Sequence, residues 1–257
     1  LDVRLIYDDM GCIITLPNHY YRQMESAGIK CCTFHRLQPV LTGTINNRDH
    51  RKICVIDGEV AFTGGVNLAD EYINQVVRFG HWLDCGGMVP GPAAYSFTLM
   101  FLSMWCYLRG DRDDPASFLP SAGAFDGLEG AGFVQPYSDT PMDEEAVGET
   151  AYINMISQAR RSICICTPYL VIDNELSGAL ESAAKCGVDV RMITPGVPDK
   201  WYVHAVTRSY YGPLLRAGVR IYEYTPGFIH SKTMVCDGKY GICGTINLDY
   251  RSLYLHH

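Results

Sequence analysis

The chain has 257 residues, 47% of them hydrophobic and 19% charged, a balance that excludes a disordered protein and leaves room for one large domain or two ordinary ones. With 21 Lys and Arg against 28 Asp and Glu, the net charge of −7 weighs against broad, non-specific binding to a polyanion. Eleven cysteines, without a CxxC pair and mostly set in apolar runs, read as reduced, buried thiols of a cytosolic environment rather than as a disulfide framework or a zinc site.

The opening "LDVRLIYDDMG" predicts a strand followed by a turn, not a secretory leader. In "HRKICVIDGEVAFTGGVN", from His50, two apolar strand runs flank Asp57-Gly58, a strong hairpin signal that gives Asp57 a sufficient structural role. "RFGHWLDCGGMV" reads as a further strand candidate. The 16 residues from Ala93 to Leu108 are apolar but interrupted by Ser96, Thr98 and Ser103. A membrane span needs about 20 mostly apolar residues, so this segment predicts a buried helix. Residues 109–132, rich in Asp, Gly, Pro and Ser, read as a linker or long loop. From Phe133 to Thr194 the pattern is strand, helix, strand, helix, strand, beginning with "GFVQ" and "GETAYINMISQARR" and ending with "VDVRMIT". Such alternation predicts an α/β fold with a mainly parallel or mixed sheet flanked by helices.

"HSKTMVCDGKYGICGTIN", from His230, repeats the earlier stretch. His50/His230, Lys52/Lys232, Asp57/Asp237, Gly58/Gly238, Gly64/Gly244 and Asn67/Asn247 are all separated by 180 positions. Upstream, "VDVRMITP" echoes "LDVRLIYDD", and "RAGVRIYEY" echoes "SAGIKCCTF". The expected organisation is two pseudo-symmetric units, 1–108 and 133–257, joined by 109–132. The first unit starts at the last elements of the repeat and the second stops early, so the repeat predicts a fold truncated at both ends.

On a strand, His50 and Lys52 would share a face, as would His230 and Lys232. Asp237, like Asp57, sits in an Asp-Gly turn. Gly64 and Gly244 allow a tight conformation or a close approach, with Asn67 and Asn247 three residues on. An imidazole, a fixed positive charge and an amide donor, each present twice, suit a phosphate. One neutral imidazole can attack phosphorus while the other gives a proton to the leaving alkoxide and later takes one from an incoming alcohol or water. The lysines and asparagines stabilise charge on the phosphoryl oxygens, so this scheme calls for no metal and no cofactor.

HxKxxxxD followed by GxxN, occurring twice, resembles the phospholipase D superfamily. "RDHRKICVIDGEVAFTGGVNLADEYIN", "TPYLVIDNEL" and "GTINLDYRSLYLHH" narrow the resemblance to the bacterial cardiolipin synthases. The resemblance implies transfer of a phosphatidyl group from one phosphatidylglycerol to another, giving cardiolipin and glycerol. It places the full-length protein at the bacterial cytoplasmic membrane, with its catalytic part on the cytoplasmic side, and implies no nucleic-acid partner. His50 then carries over as nucleophile, His230 as general acid and base, and Lys52, Lys232, Asn67 and Asn247 as phosphate ligands. Family members orient each histidine with a carboxylate downstream. Asp84 is the expected partner in the first half, and its counterpart in the second would fall beyond His257. Hydrolysis of a phospholipid, cleavage of a nucleic-acid phosphodiester and non-catalytic phospholipid binding remain the alternatives.

Overall fold

The computed structural model describes residues 1–34, 48–130, 132–140 and 145–254. In chain order the strands are β1 Arg4–Asp8, β2 Lys30–Phe34, β3 Ile53–Ile56, β4 Val60–Gly64, β5 His81–Leu83, β6 Gly86–Pro90, β7 Ser162–Cys166, β8 Leu170–Val171, β9 Asp189–Pro195, β10 Arg220–Tyr224, β11 Gly227–Ile229, β12 Thr233–Cys236, β13 Tyr240–Cys243 and β14 Leu248–Asp249. The helices are α1 Asp9–Cys12, α2 Tyr20–Ser26, α3 Ala93–Arg109, α4 Val147–Gln158, α5 Asn174–Lys185, α6 Trp201–Ala217 and α7 Tyr250–Tyr254. This is the mixed α/β architecture that the alternating pattern predicts.

The described residues form two compact units, Leu1–Ala61 with Val89–Pro141, and Phe62–Met88 with Met142–Tyr254. The division departs from the boundaries expected from the repeat, because 62–88 packs with the second half. Its short strand β5 pairs in parallel with β11, His81 opposite Gly227 and Leu83 opposite Ile229.

In the first unit β1 and β2 pair in parallel, Arg4 opposite Lys30. Helix α3 follows Pro92 and ends at Gly110, whose φ of 71° only glycine adopts freely. It buries Ala94, Phe97, Thr98, Leu102 and Trp105, residues spaced to lie along one face of a helix. The apolar segment is thus a core helix, and among the described residues no helix is long and apolar enough to cross a membrane. The expected linker is not free chain. Arg4 reaches Asp113 within it at 2.6 Å and lies over the rings of Trp105 and Phe118.

In the second unit a five-stranded sheet runs in the order β10-β9-β7-β12-β13, with β10, β9 and β7 parallel and β12 antiparallel to both neighbours. Ile163, Ile165, Val190 and Met192 point into a core with Leu176, Leu180 and Leu214, all buried. Truncating any one of these leucines to alanine costs about 2–5 kcal/mol. The alternate positions of β7 face outward, and Cys164 among them is exposed. Of the eleven cysteines only Cys31 and Cys236 are buried, so the expectation of buried thiols is corrected; on β3 and β7, strand alternation turns Cys54 and Cys164 outward. "GFVQ" forms no strand, and Phe133 within it lies fully exposed.

Candidate active site

The second motif starts where two strands part company. Strand β11 ends at Ile229, paired with Leu83, and β12 begins at Thr233, paired with Cys166 of β7 and Cys243 of β13. His230, Ser231 and Lys232 make the step from one sheet to the other. They are therefore not strand residues, as the alternation argument expects, but an extended connection in which the repeated spacing serves another contact. The Lys232 ammonium folds back onto the carbonyl oxygen of His230. In the first motif Lys52 Nζ makes the same contact with the His50 carbonyl oxygen, at 2.6 Å, ahead of β3. The HxK spacing thus ties each lysine to the backbone of its own histidine.

Pairing of β5 with β11 continues one residue past the strand ends, where the His230 amide donates to the Leu83 carbonyl at 2.7 Å. That register sets Asp84 beside His230, and Asp84 Oδ2 lies 2.7 Å from His230 Nδ1. Both side chains are buried, at 3% and 10% exposure. An ionised carboxylate only accepts, so the proton in this contact rides on Nδ1 and Nε2 is the nitrogen left for chemistry. The Lys232 ammonium lies 2.9 Å from the same Nδ1, but a protonated nitrogen cannot accept from it. Its hydrogen bond goes to the carbonyl oxygen. Asp84 is thereby assigned to the second motif's histidine, a correction to the expectation that it orients His50. Lys232 is 1% exposed, a buried positive charge beside the imidazole.

The glycines of "TGGVN" explain how Asp84 reaches its place. Gly64, at φ 153°, lies so close to the Cys85 carbonyl and Gly86 that a Cβ would collide with them. Gly65 donates its amide to the Cys85 carbonyl at 3.0 Å, and a Cβ there would strike the Asp84 carboxylate. Asp84 Oδ1 in turn accepts from the Cys85 amide at 2.8 Å. Gly244 has neither a positive φ nor a neighbour that a Cβ would meet, so the expected conformational reason for glycine does not apply to it.

Asn67 donates to the Tyr72 hydroxyl. The Tyr72 ring meets the imidazole of His230 edge-on, with centroids 5.3 Å apart, and Trp82 and Phe228 complete an aromatic wall at 5.3 and 5.9 Å. Burial pushes the Tyr72 hydroxyl up to about 12, so it stays protonated at neutral pH. Asn247 is 5% exposed and donates to Ser252 Oγ at 3.0 Å, while its Oδ1 is buried without a hydrogen-bond partner. Asn67, Asp84, His230 and Lys232 therefore gather in the second unit. His50 and Lys52 belong to the first. Gly65, Tyr72, Trp82, Phe228 and Ser252 escaped the sequence reading, and the doubled glycine of "TGGVN" is the one signal that could have pointed to the first.

Both Asp-Gly pairs form turns. Asp57 and Gly58, like Asp237 and Gly238, have φ between 53° and 72°, the left-handed conformation of a type I′ hairpin turn. Asp237 also accepts from the backbone amides of Arg160, Arg161 and Ser162 at 2.8 to 2.9 Å, anchoring the start of β7. These amides hold its carboxyl below the usual range.

Residues 152–257 match the family described as cardiolipin synthase, PLD-like domain. Over 255 residues, 99% of the chain and 50% of the relative, it is 41% identical to a cardiolipin synthase of Geobacillus thermodenitrificans. The chain belongs to the phospholipase D superfamily. A Streptococcus mutans protein of uncharacterised role is 49% identical over 256 residues, 100% of the chain and 55% of that relative. The chain spans about half the length of the curated relatives it matches. The superfamily fold recurs in the crystal structure of phosphatidylserine synthase from Haemophilus influenzae, with a TM-score of 0.64 at 17% identity over 100% of this chain and 68% of the other.

Proposed function

We propose that the full-length protein is a phosphatidyltransferase of the cytoplasmic membrane that makes cardiolipin and glycerol from two molecules of phosphatidylglycerol. In this reading a ring nitrogen of His50 attacks the phosphorus of the donor, and an N–P bond forms as the P–O bond to the glycerol headgroup breaks. His230 Nε2–H gives its proton to the departing alkoxide. The hydroxyl of the second phosphatidylglycerol then loses its proton to His230 and attacks phosphorus, and the N–P bond breaks as cardiolipin leaves. Lys52, Lys232, Asn67 and Asn247 stabilise negative charge on the phosphoryl oxygens in both steps.

The observation that carries this reading is the 2.7 Å contact between Asp84 and His230 Nδ1. A carboxylate on one ring nitrogen fixes the tautomer and the ring's orientation and presents the other nitrogen for proton transfer, the arrangement required of a general acid and base. In this reading the nucleophile is His50. The relatives' names supply the lipid substrate. The test uses the full-length protein in detergent with phosphatidylglycerol labelled in its headgroup. Cardiolipin and free glycerol, both lost in His50→Ala and in His230→Ala, are the expected products. Phosphatidic acid in place of cardiolipin would make water the acceptor and the enzyme a phospholipase, and no turnover at all would overturn the reading.

A further inference from the structure

Both motif asparagines are held by a hydroxyl. The Asn67 amide donates to the Tyr72 hydroxyl, and the Asn247 amide donates to Ser252 Oγ at 3.0 Å, each across a spacing of five residues. Tyr72 and Ser252 are therefore themselves 180 positions apart, in the register of the motif pairs, although one is a phenol and the other a small alcohol. The local structure matches as well. Each hydroxyl lies on a short helical turn that starts three residues after its asparagine, Asp70–Ile73 in the first case and α7, Tyr250–Tyr254, in the second. The Ser252 amide donates to Asp249 Oδ1 at 2.7 Å, which fixes the start of α7, and Ser252 itself is buried.

We propose that Tyr72 and Ser252 are positioning residues that set the carboxamides of Asn67 and Asn247 for a phosphoryl group. The proposal rests on the reading of the two asparagines as phosphate ligands. A carboxamide NH2 group has two donors. The bond to the hydroxyl uses one of them and stops the amide from rotating, so the second N–H keeps a single direction. A donor fixed before charge develops on the phosphoryl oxygens needs no reorganisation at the moment of reaction, and that is where its contribution to the rate comes from. The two hydroxyls differ in what stands behind them. Ser252 has no ring to reach further, whereas the Tyr72 ring meets the imidazole of His230 and the indole of Trp82, with centroids 5.3 and 4.6 Å away. One rigid side chain thus ties the first motif's asparagine to the second motif's histidine.

The test uses the full-length protein in detergent and follows release of labelled glycerol from phosphatidylglycerol, a step common to transfer and hydrolysis. The lipid product then judges the proposed function, and the rate of release judges the roles of Tyr72 and Ser252. Tyr72→Phe keeps the ring and removes only the hydroxyl, so kcat should fall about tenfold with KM within about twofold, and thermal unfolding should show the variant folded. Asn67→Ala should lose about a hundredfold, and the double variant Tyr72→Phe, Asn67→Ala should be no slower than Asn67→Ala alone, because the hydroxyl acts through the amide. Ser252→Ala and Asn247→Ala should behave in the same way. If the two losses multiply, or if Tyr72→Phe and Ser252→Ala keep the wild-type kcat while the asparagine variants lose it, the hydroxyls do not act through the asparagines and the proposal fails. A wild-type protein that releases no glycerol, or asparagine variants at the full rate, would overturn the phosphate-ligand reading and this proposal with it.

Discussion

Asp84 and His230 are 146 residues apart in the chain, yet the carboxylate lies 2.7 Å from the imidazole Nδ1. The pairing of β5 with β11 makes this possible, since each residue is the first beyond a paired strand end. Asp84→Asn keeps the size of the side chain but offers an amide where a carboxylate stood, so Nδ1–H loses its charged acceptor. Turnover of phosphatidylglycerol should fall by about two to four orders of magnitude, through kcat and not KM, as expected for a residue that acts through the histidine. Steady-state kinetics on the folded variant would check this. A rise in KM with kcat intact would instead make Asp84 a substrate contact.

The paired glycines make a sharper prediction. A Cβ on Gly65 collides with the Asp84 carboxylate, whereas one on Gly244 meets nothing. Gly65→Ala should therefore lose as much activity as Asp84→Asn, and Gly244→Ala should stay within about threefold of the wild type. Far-ultraviolet circular dichroism would verify that both variants fold. Equal activities in the two would contradict the close approach of Asp84 to Gly65.

Local signals in the sequence were legible, and non-local ones were not. Asp57-Gly58 and Asp237-Gly238 each announce a hairpin because few residues other than Gly, Asn and Asp accept a positive φ, and both turns form. Two motifs in one register singled out the histidines, lysines and asparagines, and of these His230 and Lys232 lie against one another and Asn67 bonds the Tyr72 whose ring meets His230. The partner of Asp84 was hidden, because β5 and β11 are three residues each and nothing in "HWL" or "GFI" specifies the other. "GFVQ" read as a strand on composition alone, but no strand forms there and Phe133 is left in solvent. The aromatic wall around His230 depends on the same strand pairing, since Trp82 lies on β5 and Phe228 on β11.

Cys85 and Cys243 offer a direct chemical test of how residues 62–88 pack in the second unit. Their sulfur atoms are 3.7 Å apart, and a disulfide needs about 2.05 Å, a small movement for two side chains. An azo oxidant such as diamide, reduced to the hydrazine as two thiols become one disulfide, should link them within one chain. Peptide mapping should find the Cys85 to Cys243 link in the wild type and lose it in Cys85→Ser. Adducts on the exposed Cys54, Cys164 and Cys186 without that link would count against the packing.

Asp237 provides a prediction about stability and its pH dependence. Its carboxylate accepts three backbone amides, from Ser162, Arg160 and Arg161, and these lower its pKa from the ordinary 3.8. A carboxyl depressed in the folded state favours folding at every pH above its unfolded value, and that contribution fades as pH falls from about 3.8 through the lower folded value. In Asp237→Asn the amide has one accepting oxygen and turns an NH2 group toward amide donors, so the start of β7 loses acceptors it cannot replace. Urea denaturation should show the variant less stable than the wild type by a constant amount between pH 5 and 7, with the gap narrowing below about pH 4. The hairpin itself should persist, because asparagine also tolerates the left-handed conformation that Asp237 adopts. A gap that did not change on acidification would mean that the charge on Asp237 contributes nothing and that only the shape of the side chain matters.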